Sequence, residues 1–301
     1  LRDPARCATP VSVGRGRWMG TPLLGSSMRL SGAINRVRDI LSPGSPWWED
    51  LSRVYSVSRA EALELGTRAR GRRPSLPALA GCAAVSGKTL EDLWGGGPRS
   101  APADVAQFYQ DVGAWFAFRQ VVRHRFTGFG FVAKRLIPGM HLLEFGAGVC
   151  PVSWWLLHHG PAYLKVRPVD VPSEHFRFGL DRLRHALPRH QWRMELWPEW
   201  CYGGQLPRLR PKRFDAATCL EVFEHLPDPA AAVRWLVDSI KSGGWLFEDF
   251  AIHAEPSGPD LAEAQAARLE VYRLLTDTCE RVSGRSWTRA DGGGIRIWRK
   301  C

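Results

Sequence analysis

From Asp104 to the C-terminus, short apolar runs alternate with helical patterns, and the first run ends in a glycine turn. His141 to Phe145 reads as a strand, Glu144-Phe145-Gly146-Ala147-Gly148-Val149-Cys150 as the turn, and Val152 to His159 as the next helix. Glycine lets the backbone turn tightly and approach a ligand closely. Further strands are expected at Leu164 to Val169, Gln191 to Leu196, Phe214 to Leu220 and Gly244 to Phe250. Helices are expected at 104–124, Glu174 to Ala186, Pro229 to Ile240 and 259–279. Arg285 to Ala290 and Ile295 to Arg299 flank Asp291-Gly292-Gly293-Gly294, which reads as a hairpin. Alternating strands and helices imply an α/β fold, doubly wound and Rossmann-like, with a mostly parallel sheet closed by an antiparallel hairpin.

The residues before Asp104 read differently. Residues 1–33 are rich in Gly, Arg, Ser and Pro and are expected to be loosely ordered. Residues 34–103 are expected to form a small, mainly helical region or cap, broken by Ser42-Pro43-Gly44-Ser45-Pro46 and ending at Gly95-Gly96-Gly97-Pro98. The expected organisation is thus 1–33, 34–103 and a domain at 104–301. The first residue is Leu1, so the sequence is read as a fragment or as carrying an upstream extension, with Met19 and Met28 as candidate starts.

Composition narrows the function class. Hydrophobic residues make up 45% and charged residues 24% of the 301, an ordinary globular balance. The seven cysteines include no C-x-x-C pair, which argues against structural zinc and for reduced thiols in a cytoplasmic protein. No apolar run is long enough to span a bilayer. The net charge of +11 suits an anionic partner such as nucleic acid. The competing reading is compositional bias, because the arginines are scattered.

Three places carry the chemistry. In an open α/β sheet, ligands bind at the carboxyl ends of the strands. The Glu144–Cys150 turn lies at one such end. A dinucleotide fingerprint would place a third glycine at 151, where Pro151 stands, and this counts against NAD or FAD. Asp170 closes the second strand, 24 residues beyond Gly146, where a carboxylate can accept hydrogen bonds from both ribose hydroxyls. The plainer reading is a helix cap. Phe214 to Pro229 reads FDAATCLEVFEHLPDP and brings Glu221, Glu224 and His225 onto one turn.

Taken in order, Glu144-x-Gly-x-Gly, Asp170 and FDAATCLEVFEHLPDP resemble the motifs of class I S-adenosylmethionine-dependent methyltransferases. The resemblance covers roughly residues 104–300 and implies a seven-stranded sheet. It implies that Glu144, Gly146, Ala147 and Gly148 meet the methionine part of the cofactor and that Asp170 holds its ribose. Glu195 and Leu196, with Trp197 as a further candidate, would flank the adenine, and Glu221 would face the transferring methyl. Cys150 departs from the family's third glycine.

The Glu221-x-x-Glu224-His225 cluster is similar to the metal-binding segment of ubiquinone-pathway O-methyltransferases and of small-RNA 2′-O-methyltransferases. Glu221, Glu224 and His225 are therefore candidate ligands for Mg²⁺. In the competing reading Glu224 and His225 serve only the local turn. Glu221, His225 and His253 are the candidate catalytic groups for proton removal, His having the best-placed pKa. Tyr109 and Trp115 are expected as core aromatics. The expected activity is methyl transfer to the oxygen or nitrogen of a small molecule. The alternatives are an RNA methyltransferase and a non-catalytic cofactor-binding module.

Overall fold

The computed structural model describes residues 46–69, 90–95, 100–124, 127–190, 192–250, 260–284 and 294–301. The expected segment 1–33, residues 285–293 of the expected hairpin, and His253 lie outside the described residues.

Among the described residues the chain begins with α1 (Pro46–Tyr55), α2 (Arg59–Ala69) and α3 (Leu90–Gly95). Ser58 and Glu61 close a capping box at the start of α2. The Ser58 hydroxyl accepts from Glu61 N at 3.2 Å, and the Glu61 carboxylate accepts from Ser58 N at 2.7 Å. The expected single helix at 104–124 is two, α4 (Pro102–Asp111) and α5 (Gly113–His124). The break falls at Gly113, whose φ of 51° no continuous α-helix permits. Trp47, Trp48, Leu51 and Ala62 pack on Phe118, Val121 and Val122 of α5, so residues 46–69 share a core with the sheet domain.

A short α6 (Gly130–Ala133) leads to β1 (His141–Phe145), α7 (Pro151–His159), β2 (Leu164–Asp170), α8 (Glu174–His190), β3 (Met194–Leu196) and β4 (Glu199–Trp200). Then come β5 (Phe214–Leu220), α9 (Pro229–Ser239), β6 (Ile240–Asp249), α10 (Ala262–Thr278), β7 (Cys279–Ser283) and β8 (Arg296–Lys300). The strand order is β3-β2-β1-β5-β6-β8-β7, with β4 pairing to β2 beyond the end of β3. The strands from β1 to β6 pair in parallel, while β8 runs antiparallel to β6 and β7. Counting β3 and β4 as one interrupted strand recovers the expected seven positions. The interruption falls at Trp197-Pro198, where proline has no N–H for the ladder.

Two strand expectations need correction. The partner of β8 is β7 at Cys279–Ser283, a stretch whose start was read as the tail of the last helix. Glu280 and Arg281 are exposed on this edge strand. Charged edges discourage unwanted pairing and also hide the alternating pattern that announces a strand. The fifth strand starts at Ile240, earlier than expected, because a register shift against β5 lets it run through Gly243 and Gly244.

Burial of Glu248 on β6 ties the antiparallel edge to the parallel sheet. Its carboxylate accepts from Arg296 Nε at 2.6 Å, Arg296 Nη2 at 3.1 Å, Trp298 Nε1 at 3.0 Å and Phe250 N at 3.1 Å. Both charged residues are buried, and removing one partner of such a pair strands the other's charge. Arg296→Met is expected to destabilise the fold by about 3–5 kcal/mol. Adding Glu248→Gln to it should restore part of that loss. Urea denaturation midpoints of the two variants and the parent check both expectations.

Candidate active site

At the carboxyl ends of β1, β2 and β5 the structure holds a cavity of about 250 Å³. Helices α4 and α5 cover it with Tyr109, Phe116, Arg119, Gln120 and Arg123. Its floor contains Glu144, Gly146, Ala147, Asp170, Thr218 and Glu221, and the turn after β5 adds Val222, Glu224 and His225.

The glycine turn is built by two carboxyls, one buried and one half-buried. Glu144, at the end of β1, reaches across the turn to the start of α7. It accepts from Val152 N and Ser153 N, each at 3.0 Å, and from the Ser153 hydroxyl. Free amides at a helix start suit a carboxylate. Asp170 accepts from Gly148 N at 2.6 Å and from Val171 N at 2.6 Å, which fixes the turn against the end of β2. Gly146 and Gly148 have φ of 66° and 50°. A Cβ at Gly146 would run into Val222, and one at Gly148 would run into Gln120. Gln120 also accepts from Val149 N at 3.0 Å, so α5 closes over the turn.

Cys150, where the family pattern has glycine, adopts the same left-handed backbone, with φ of 53°. Its side chain is fully buried and turns away from the cavity toward Gly179 of α8. The departure therefore leaves the cavity floor clear. A Cβ on Gly179 would meet Cys150 Sγ at 2.9 Å, so the smallness lost from the turn reappears on the helix behind it.

Glu221 follows β5 directly, with φ of 55°, and forms an ion pair with Arg123 of α5. His225 turns Nδ1 toward the buried Asp260 carboxylate at 3.4 Å. Glu224 is buried, and its Oε2 has no hydrogen-bond partner. Burial and the nearby Glu221, Asp260 and Asp249 hold its carboxyl well above the usual range. Among the described residues, no three His, Cys, Asp or Glu side chains converge as metal ligands. The three expected ligands do not converge here: Glu221 turns to Arg123, His225 turns to Asp260, and burial holds the Glu224 carboxyl above its usual range.

Glu195 and Leu196 are not brought to the cavity. They pair with Lys165 and Val166, near the start of β2 and far from Asp170 at its end. Trp197 lies with Glu195 in a separate small cleft. At the level of Asp170 stands Trp200, its partner across β4, and the following Cys201 lines the cavity. The interrupted third strand displaces the position by four or five residues, which a search for one continuous strand passes over.

Sequence reasoning also missed Arg119, Gln120, Arg123, His175, Thr218 and Asp260. All but Thr218, which sits on β5, come from helices and loops whose approach to the sheet no local pattern encodes. Arg119 and Arg123 had one usable signal, since residues four apart share a helix face. His175 lies between the rings of Tyr109 and Phe116, at 5.7 and 5.5 Å. Its burial lowers its pKa to about 3, so it is a neutral imidazole.

Burial raises the pKa of Glu144 to about 7 against the pull of its Ser153 and Val152 hydrogen bonds, and that of Asp170 to about 6. Across the interval from the ordinary carboxylate range to about pH 7, the folded state thus binds more protons than the unfolded chain. The contribution of Glu144 to stability is full at low pH and is lost as pH rises through about 7. Glu144→Gln should flatten the fall in stability between pH 5 and pH 7, as measured by urea titrations across that range.

In sequence the chain is similar to known methyltransferases. A family model described as a methyltransferase domain matches residues 119–290, more than half of the chain. The ubiquinone biosynthesis O-methyltransferase of Paracidovorax citrulli is 49% identical over 152 residues, covering 48% of this chain and 60% of the relative. The enzyme of that name from Leptothrix cholodnii is 40% identical over 111 residues, covering 37% and 44%. The chain spans about half the length of the curated relatives it matches. A solved SAM dependent methyltransferase from Aquifex aeolicus is 15% identical with a TM-score of 0.41, covering 66% of this chain and 98% of that one. With a glycine turn, a carboxyl at the end of β2 and a matching family model over its sheet domain, the chain belongs to the methyltransferase-domain family, in its class I, Rossmann-like form.

Proposed function

We propose that this chain transfers a methyl group from S-adenosylmethionine to a hydroxyl oxygen of a small molecule. The observation that carries the reading is Asp170. Its carboxyl stands at the end of β2, is tied to the glycine turn through Gly148 N, and lines the cavity. A carboxylate there is placed to accept the two hydroxyls of a ribose. Gly146 and Ala147 leave room for main-chain contact with the rest of the cofactor, and Arg119 offers positive charge to its carboxylate end. Bound there, S-adenosylmethionine would supply a methyl on a positively charged sulfur.

The chain's own work is positioning, exclusion of water and proton removal. Phe116, Phe129, Leu206, Leu220 and Leu226 give the cavity apolar walls that suit a flat or aliphatic acceptor. The names of the relatives favour oxygen over nitrogen as the accepting atom. His225 is the general base of this reading. When Nδ1 keeps its proton toward Asp260, Nε2 carries the lone pair that takes the hydroxyl proton. Glu221, held by Arg123, sets the negative charge beside the transferring methyl. No step is assigned to a metal, and none to His253. The basic charge leaves RNA as the less favoured acceptor.

Calorimetric titration with S-adenosylmethionine and S-adenosylhomocysteine tests the cofactor. Asp170→Ala should weaken both by about ten-fold or more, the effect of losing hydrogen bonds to a charged group. Affinity in the parent should fall as pH drops below about 6, where Asp170 takes up its proton. Binding of neither nucleotide by the parent overturns the reading. His225→Ala should lower turnover on a phenolic acceptor by about 10²–10⁴-fold while leaving cofactor affinity unchanged.

A further inference from the structure

Between β4 and β5 the described chain forms no α-helix. Residues 201–213 cross with one short 3₁₀ turn at Tyr202–Gly204. A crossover in a doubly wound sheet ordinarily lays a helix over the strands it joins. Here that cover is missing over the amino-terminal half of β1, β2 and β3, and their outward side chains line an open cleft of about 80 Å³. Lys165, Arg167, His141, Glu195, Trp197 and Arg213 line it.

The crossover itself is basic. It reads Pro207-Arg208-Leu209-Arg210-Pro211-Lys212-Arg213. Leu206 and Leu209 pack against the core, which leaves Arg208 and Arg210 exposed. The strip is pinned in place. Pro207 O accepts from Trp235 Nε1 at 2.9 Å, Lys212 N donates to Asp238 O at 2.8 Å, and Arg213 N donates to Ser239 O at 2.8 Å. In the cleft, Glu195 lies 3.8 Å from Lys165 and Glu199 lies 3.0 Å from Arg167. No carboxylate among the described residues pairs with Arg208, Arg210, Lys212 or Arg213. Arg213, the last cation of the strip, lines the cleft together with Trp197, whose ring is 53% exposed.

Fixed cations beside an exposed indole are the two elements of a single-stranded nucleic acid site: charge for the phosphates and a flat surface for a base. We infer that the Arg208–Arg213 strip and the Trp197 cleft bind single-stranded RNA, with a base on the Trp197 ring and phosphates along Arg208, Arg210, Lys212 and Arg213. The cleft lies toward the amino-terminal end of β2, away from Asp170, and the site stands whatever the cavity methylates. RNA here is a docking partner and not the methyl acceptor.

The test is fluorescence anisotropy of a short labelled oligouridylate with the full chain, at several salt concentrations. The parent should bind with an affinity that falls steeply with salt. Replacing Arg208, Arg210 and Lys212 together by Gln removes three exposed charges and should reduce the salt slope by about 2. Trp197→Ala should weaken binding about ten-fold with the slope unchanged, which separates stacking from charge. Asp170→Ala should bind the oligonucleotide as the parent does, so loss of the cofactor site cannot imitate loss of this one. Circular dichroism melting confirms that each variant is folded. Unchanged affinity in either surface variant overturns the inference, as does equal affinity for a duplex of the same length. Competition by anionic lipid vesicles as strong as that by unlabelled oligonucleotide overturns it in favour of a membrane surface.

Discussion

A carboxyl buried under a strand-to-helix turn is the constraint on which the rest of this site depends. Glu144 leaves the end of β1 and closes on the free amides at the start of α7. That contact sets where the helix begins and so where the glycine turn must rise. Asp170 then clamps the turn from the neighbouring strand through Gly148 N. Glu144 is buried and Asp170 half-buried, and loss of water raises both pKa values. The same low-dielectric setting strengthens each hydrogen bond they accept. A ligand that donates to Asp170 therefore meets an acceptor already held in place.

The cover over this floor is assembled from distant parts. Helix α5 brings Gln120 onto Gly148 and Arg123 onto Glu221, so one helix face touches two carboxyl ends of the sheet. Helix α4 places Tyr109 among His175, His225 and Phe116. The Gly113 break lets these two helices change direction between the two tasks. Behind α5, residues of α1 and α2 fill its outer face, and Arg182 of α8 lies between the indoles of Trp47 and Trp154, 3.2 and 3.8 Å from their centroids. Its Nε donates to Asp50 at 2.8 Å, which fixes α1 to the sheet domain. The helices that cover the cavity are thus supported by a layer outside the sheet.

Opposite charges in the acceptor region pair across elements before any ligand is considered. Arg123 meets Glu221, and Asp260 meets His225. These pairs explain why three residues on one turn need not form a metal site. A sequence cluster states which ligands are adjacent in the chain, while metal binding requires that their oxygens and nitrogens converge. Glu224 follows burial, His225 follows Asp260, and Glu221 follows the helix above it.

The parallel sheet, the glycine turn and the places of Glu144 and Asp170 at strand ends were legible in the residues because each rests on local chemistry. The start of α9 is equally local, since Asp228 accepts from Ala231 N at 2.8 Å just before Pro229. Strand runs, turns and caps are set by neighbours in the chain, so a linear reading reaches them. The edge strand β7 was hidden by its charges, and the adenine-side position by the Trp197-Pro198 interruption. Arg119, Arg123, His175 and Asp260 became part of the site only through packing between elements far apart in sequence. The sequence by itself determined which backbone could turn and which carboxyls would stand at strand ends. Only the tertiary structure decided which charges face one another, because that depends on how helices lie across the sheet and on which side chains lose their water there.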